Sequence, residues 1–211
     1  MTNEKDPVNY SEFWEGRYKE GTTGWDLGGH TPVLDELLGI LGDISDKTVA
    51  VIGCGNGHDA IRLSAKAKHV VGFDFAPSAI ENSRKNADGL KNIEFAQADL
   101  FDLPNKIEFS GYFDIVFEHT CFCAIDPGRY DEYADVVHRL LKSNGVLTGI
   151  FYAHGREGGP PYTTSEAQVR DIFSESFDVE YLAKALKSIE KRQNEELIGI
   201  LRKRGEMNCT P

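Results

Sequence analysis

Five residues, Gly53-Cys54-Gly55-Asn56-Gly57, follow the apolar run Val49-Ala50-Val51-Ile52 and precede a helix-forming stretch from His58. A second apolar run, His69-Val70-Val71-Gly72-Phe73, ends at Asp74. Glycines let a chain turn sharply from strand to helix and let a ligand lie against bare backbone. An acid ending the second strand, about twenty residues later, can accept hydrogen bonds from both hydroxyls of a ribose. Together these pieces describe a nucleoside-binding βαβ unit. The stretch Gly55 to Ala60 also satisfies the looser dinucleotide pattern G-x-G-x-x-A, so a nicotinamide-dependent reductase stands as one alternative. Asp99, in Ala96-Gln97-Ala98-Asp99-Leu100, follows the third strand. There a carboxylate or its neighbouring backbone could read the edge of an adenine; its plainer reading is a helix cap.

The only two tryptophans, Trp14 and Trp25, lie outside this unit in a polar N-terminal stretch. An indole face over a pocket stabilises a cation by roughly 0.5–2 kcal/mol. That favours a sulfonium over an anionic dinucleotide. The plainer reading is packing of the N-terminal helix on the sheet.

The elements that must position these groups alternate along the chain. Helical patterns cover 11–19, with Ser11 as cap and Gly21 past the end, and 33–41. Strands are expected at 48–53, 69–74, 92–97, 113–117, 146–152, 177–183 and 196–202. Helices are expected at 58–67, from Pro77 to Ala87, and at 129–142. Ser143-Asn144-Gly145 reads as a turn, and Thr163 with Glu166 as a capping box before a helix at 164–174. The pattern predicts an α/β fold whose mostly parallel seven-stranded sheet carries helices on both faces. One domain spans 1–211, with 1–45 an N-terminal helical cover and 46–211 the core. Ligands of such folds bind beyond the carboxyl ends of the strands, after Ile52, Phe73, Gln97, Phe117 and Phe151.

Composition narrows the partners. A formal charge of -11 over 211 residues argues against nucleic acid, which draws affinity from clustered Lys and Arg. No apolar run approaches the roughly twenty residues that span a bilayer, and Met1 to Pro7 lacks a signal-peptide core. Cys54, Cys121, Cys123 and Cys209 form no metal-ligand or disulfide pattern, so a reduced cytoplasm is expected and no metal.

Further motifs carry a family resemblance. Phe13-Trp14-Glu15, Gly24-Trp25-Asp26, the glycine loop with His58-Asp59, Cys121-Phe122-Cys123-Ala124-Ile125 and Gly158-Gly159-Pro160-Pro161-Tyr162 resemble the thiopurine S-methyltransferase superfamily. The chain looks most like its halide/thiol members. The resemblance runs over roughly residues 9 to 175 and implies a class I methyltransferase with a Rossmann-like fold, using S-adenosyl-L-methionine. It implies that Trp14 and Trp25 close over the cofactor and that Gly53 lies against its amino-acid end, with Gly55 and Gly57 also binding it. Asp74 would hold the ribose, Asp99 and Leu100 would frame the adenine, and Glu118 would stand near the cofactor. Halide/thiol members carry Asp-Tyr where this chain has Glu118-His119. His119 and Tyr152 are therefore the expected catalytic residues, with His119 orienting or deprotonating a thiol and Tyr152 and Tyr162 lining the acceptor pocket. The plainer reading of His119 is a structural histidine. The expected reaction is in-line methyl transfer to a small thiol, sulfide or halide, by a monomer. A cofactor binder without catalysis is the other alternative.

Overall fold

The computed structural model describes residues 6–205; Cys209 lies outside the described residues. Seven strands form one sheet: β1 Thr48–Ile52, β2 His69–Asp74, β3 Ile93–Gln97, β4 Phe113–His119, β5 Leu141–Tyr152, β6 Phe177–Lys184 and β7 Glu196–Lys203. Their order is β3-β2-β1-β4-β5-β7-β6. All pairings are parallel except those of β7, which runs antiparallel to both β5 and β6. The order reverses between β1 and β4, so the loops after these strands diverge and leave a crevice.

Among the described residues six α-helices accompany the sheet: α1 Ser11–Glu20, α2 Pro32–Leu41, α3 His58–Ser64, α4 Pro77–Asn86, α5 Tyr130–Leu140 and α6 Glu166–Phe173. Side chains alternate across a strand, and both faces here are buried. Ala50 and Ile52 of β1 join a core with Phe113, Tyr133, Phe151 and Phe173. Val49 and Val51 face the other way, towards Leu34, Leu37, Leu63 and Ile198.

Several local expectations change. Ser11 begins α1 rather than capping it; Tyr10 holds the cap position without a side-chain bond, while Gly21 closes the helix in the left-handed conformation. The cap of α6 is Ser165, which accepts from the Gln168 N–H at 3.2 Å. Ser165 offers Gln168 the same three-residue spacing that suggested Thr163, whose hydroxyl instead accepts from the Gly155 N–H at 2.8 Å. Helix α3 stops at Ser64, short of the expected 67. Ser143-Asn144-Gly145 is a bulge inside β5, because Leu141 already pairs with Phe113 before Val146 pairs with Ile115. Leu141 is fully buried, and that burial draws the chain into the sheet at once.

Glu118, on β4, is completely buried. Its Oε2 accepts from the N–H groups of Cys121 (3.2 Å) and Phe122 (2.9 Å), which shapes the short 3-10 turn Phe122–Ala124. Its Oε1 has no hydrogen-bond partner. Burial pushes the carboxyl up to about 7 against the pull of the Phe122 N–H, from an ordinary value of 4.5. The neutral acid therefore stabilises the fold below pH 4.5, and that contribution is lost as pH rises through about 7. Glu118→Gln should gain on the parent, by on the order of 3 kcal/mol, between about pH 5 and about pH 8. Denaturant unfolding at several pH values reads this, and a difference that ignores pH would refute the assignment.

Candidate active site

A cavity of about 480 Å³ opens at the carboxyl ends of β1 to β5, under α1 and the segment reaching Trp25. Gly53 and Gly55 line it, with φ of 60° and 55°. A Cβ on Gly53 would stand 2.8 Å from Cys121 Sγ, so only glycine fits between the loop and the turn after β4. Gly57 lies outside the cavity. Its φ of 83° starts α3, and a Cβ there would meet Ser83 Cβ at 2.9 Å. Spacing alone could not separate the glycine that packs from those that face a ligand.

Asp74 ends β2 at the cavity wall. Its Oδ2 accepts from the Gly55 N–H (2.8 Å) and its Oδ1 from the Ala76 N–H (2.9 Å). Burial raises its pKa, opposed by those backbone donors. Asp99 both lines the cavity and caps the turn Leu100–Asn105, accepting from the Phe101 N–H at 2.9 Å; Leu100 and Phe101 continue the wall. Successive strand ends thus present bare backbone, then a ribose-competent carboxylate, then an acid beside an apolar wall. That donor set fits a nucleoside carrying an amino-acid tail.

Trp14 and Trp25 cover this side edge to face, with centroids 5.5 Å apart. Trp14 Nε1 donates to the Val8 carbonyl (2.9 Å) and Trp25 Nε1 to the Tyr18 hydroxyl (3.4 Å). Glu15 pins α1 to the start of α4 by accepting from the Ser78 N–H (2.9 Å) and hydroxyl (2.8 Å). Tyr18 went unnoticed in the sequence. Its hydroxyl would lie 3.3 Å from a Cβ on Gly55, and burial, then Asp74, raise its pKa, so it stays a neutral phenol.

The other end of the cavity is bounded by Cys121, Cys123, Tyr152, Pro160, Ile189 and Arg192. Arg192 stands over the Tyr152 ring at 5.3 Å, with Nη1 3.5 Å from Glu196 Oε1. It was missed as a site residue, because Glu190-Lys191-Arg192 reads as a solvated charge run. Burial, which the sequence does not display, singles it out. The Tyr152 hydroxyl is engaged, donating to Glu195 (3.1 Å) and accepting from Arg156 (3.0 Å), so only its ring addresses the cavity.

Besides Gly57, three expected residues lie elsewhere. Glu118 supports the turn from beneath. Tyr162 points its hydroxyl at Asp6 (2.9 Å), tying the 158–162 loop to the N-terminal cover, while Pro160 and Pro161 take the lining. His119 lies beside a smaller pocket behind the glycine loop. Its Nδ1 meets Asp59 Oδ2 at 2.8 Å and its Nε2 meets Arg192 Nη1 at 3.1 Å. Burial opposes its charged form, but Asp59 and Glu196 outweigh that and push it up to about 9. With both nitrogens occupied and the ring outside the cavity, it is not placed to deprotonate a substrate. Burial raises the pKa values of Cys121 and Cys123, the latter to about 12, and among the described residues no cluster could hold a metal.

The thiopurine S-methyltransferase family matches residues 9–208. A probable thiol methyltransferase 2 of Arabidopsis thaliana is 35% identical over 78% of this chain and 72% of its own length. Thiocyanate methyltransferase 1 of Brassica oleracea is 32% identical over 75% and 70%. Among solved structures, one from work on converting a disulfide bond into a thioacetal group during echinomycin biosynthesis covers 92% of both chains, with TM-score 0.75 and 24% identity. The 1,6-didemethyltoxoflavin-N1-methyltransferase of Burkholderia thailandensis, with bound S-adenosylhomocysteine, has TM-score 0.73 and 19% identity over 94% and 88%; both likenesses show the fold. The chain belongs to the thiopurine S-methyltransferase family and is an S-adenosylmethionine-dependent methyltransferase acting on a small nucleophile.

Proposed function

We propose that the methyl acceptor is a small soft anion, namely a thiolate, hydrosulfide or halide. The observation that carries this reading is Arg192, a buried guanidinium in the cavity wall of a chain whose formal charge is -11. Arg17, Arg129 and Lys191 also line the cavity, against the acids Asp74 and Asp99. Both acids belong to the nucleoside end, where Arg129 also lies over the Phe101 ring, so the other end has Arg192 and Lys191 in its wall and no acid among its lining residues.

Size supports a small acceptor. Pockets for whole small molecules run to roughly 300–1,000 Å³, and about 480 Å³ leaves little beyond the cofactor. Bound S-adenosylmethionine supplies an electrophilic methyl on a cationic sulfur. The residues of this chain hold, orient and exclude water. Gly53 and Gly55 receive the amino-acid end, Asp74 the ribose, and Asp99 with Leu100 the adenine, while Trp14 and Trp25 shut out solvent. Arg192 holds the anion at the opposite end, and the Tyr152 ring backs the guanidinium. The nucleophile's lone pair forms the new bond to the methyl carbon as the carbon–sulfur pair returns to sulfur, so no side-chain nucleophile is needed. Such positioning supplies on the order of 7–11 kcal/mol. A free thiol ionises near pH 8.5, and a fixed guanidinium favours its thiolate.

The proposal extends to a monomer in a reduced cytoplasm that does not bind nucleic acid. Free Cys54, Cys121 and Cys123 and the acidic charge support it. Among the described residues no helix is long and apolar enough to cross a membrane.

Labelled cofactor incubated with iodide, thiocyanate, hydrosulfide and a neutral amine should yield methyl products from the anions. Turnover of the amine alone would refute the acceptor class. Asp74→Asn should weaken S-adenosylhomocysteine binding about 10- to 100-fold by calorimetry, the loss of one to two charged hydrogen bonds. Arg192→Met should raise the KM for iodide about tenfold or more and change kcat far less; an unchanged KM removes Arg192 from anion binding.

A further inference from the structure

We infer that His119 is a positioning residue that holds the Arg192 guanidinium in register with the acceptor end of the cavity, with a grip that depends on its own protonation. This rests on the reading of Arg192 as the anion's partner. The observation is a buried chain of contacts joining three separate elements. Asp59, in the first turn of α3, accepts from the Thr31 N–H (2.8 Å) through Oδ1 and faces His119 Nδ1 (2.8 Å) through Oδ2. His119, the last residue of β4, presents Nε2 to Arg192 Nη1 at 3.1 Å. Arg192 ends the short 3-10 turn Glu190–Arg192 before β7, and that turn has no side-chain cap of its own. Only 8% of the His119 side chain and 9% of the Arg192 side chain reach solvent. A cation on a weakly anchored turn is thereby fixed from the rigid end of a central strand.

The chemistry of the contact is directional. A guanidinium only donates, so Arg192 Nη1 bonds to Nε2 only while that nitrogen is unprotonated and the ring's single proton lies on Nδ1, facing Asp59. The charged ring instead presents an Nε2–H, which repels Arg192 and finds Glu196 Oε1, 3.7 Å away. The charged groups facing His119 are Asp59 from α3, Glu196 from β7 and Arg192 from the turn before it, with Glu118 adjacent on β4. Asp59 neutralises the added charge at contact distance, so protonation loosens Arg192 without making the cavity more attractive to anions. The two carboxylates place this change near pH 9.

Iodide is the suitable probe, because it carries its charge at every pH. Its KM should fall about fivefold in the parent between about pH 7 and about pH 9.5, as the ring becomes neutral. Gln reaches the position of Nε2 and can accept from Arg192 at any pH, so His119→Gln should keep the low KM throughout. Asn replaces only the Nδ1 side and stops short of Arg192, so His119→Asn should show the high KM at both pH values. S-adenosylhomocysteine affinity should stay within about twofold in both variants. One shared, pH-independent KM for the parent and both variants, alongside a raised KM in Arg192→Met, overturns the role of His119 alone. An unaffected Arg192→Met overturns the anion reading first and this inference with it. Parallel loss of cofactor affinity in both histidine variants would mark His119 as a structural residue only.

Discussion

The carboxylate of Asp74, gripped by the Gly55 and Ala76 N–H groups, is the contact around which the site is arranged. It joins the loop leaving β1 to the end of β2, two points that the sheet alone would leave free to separate. An ionised carboxylate in a buried place needs such donors, since each unpaired charge there costs several kcal/mol. The same donors that stabilise it also fix the glycine loop in its left-handed path. Gly53 can then run against Cys121 at a separation no side chain would permit. The nucleoside end is thus made rigid by backbone geometry.

The proposed acceptor end is built differently. Its cation, Arg192, arrives on a short turn near the end of the chain, and its aromatic backing, Tyr152, ends a strand near the middle of the sheet. The N-terminal cover closes from a third direction. Its second helix, α2, packs Val33, Leu34 and Leu37 into the core, while the part before it adds polar contacts at its margins: Glu15 on Ser78, Tyr162 on Asp6, and Asn9 on Asp126. Contacts of this partly exposed kind each contribute about 1 kcal/mol, less than the apolar packing of α2 against the sheet.

What the sequence disclosed follows the reach of each signal. Strands β1 to β4 and the glycine loop were legible because their cause is local: apolar runs, turn residues and an acid at a known separation. Asp74, Asp99 and Leu100 fell at the cavity because strand ends in such a sheet converge, and Trp14 and Trp25 because α1 and the segment after it lie over those ends. Gly57 did not, since helix packing and ligand contact ask for glycine with the same spacing. His119 and Arg192 could not be understood separately. Each reads as an ordinary surface or pocket residue until the 73-position separation is folded away and a 3.1 Å contact appears. Tyr162 was misplaced for a similar reason, because its partner Asp6 lies 156 residues away. The dinucleotide alternative failed for a reason of its own: the chain beyond the glycine loop completes one sheet, and the Arg192 end of the cavity is shaped from its later strands.

With the proposed anionic acceptor, the two ends of the cavity pose opposite electrostatic demands, and the reaction between them resolves both. A sulfonium needs neutral, polarisable surroundings, which the tryptophan cover and the un-ionised Tyr18, Cys121 and Cys123 provide. An anionic nucleophile needs a fixed cation, which must stand far enough from the sulfonium not to expel it. As the methyl moves, a cation and an anion become two neutral products. A site that holds separated charges away from water therefore favours their recombination, since little solvent must reorganise as the charge disappears. Neutral thiols in the wall serve this arrangement better than thiolates would, because an ionised cysteine beside the methyl would itself compete as the nucleophile. The burial that raises the pKa values of Cys121 and Cys123 keeps that competition down.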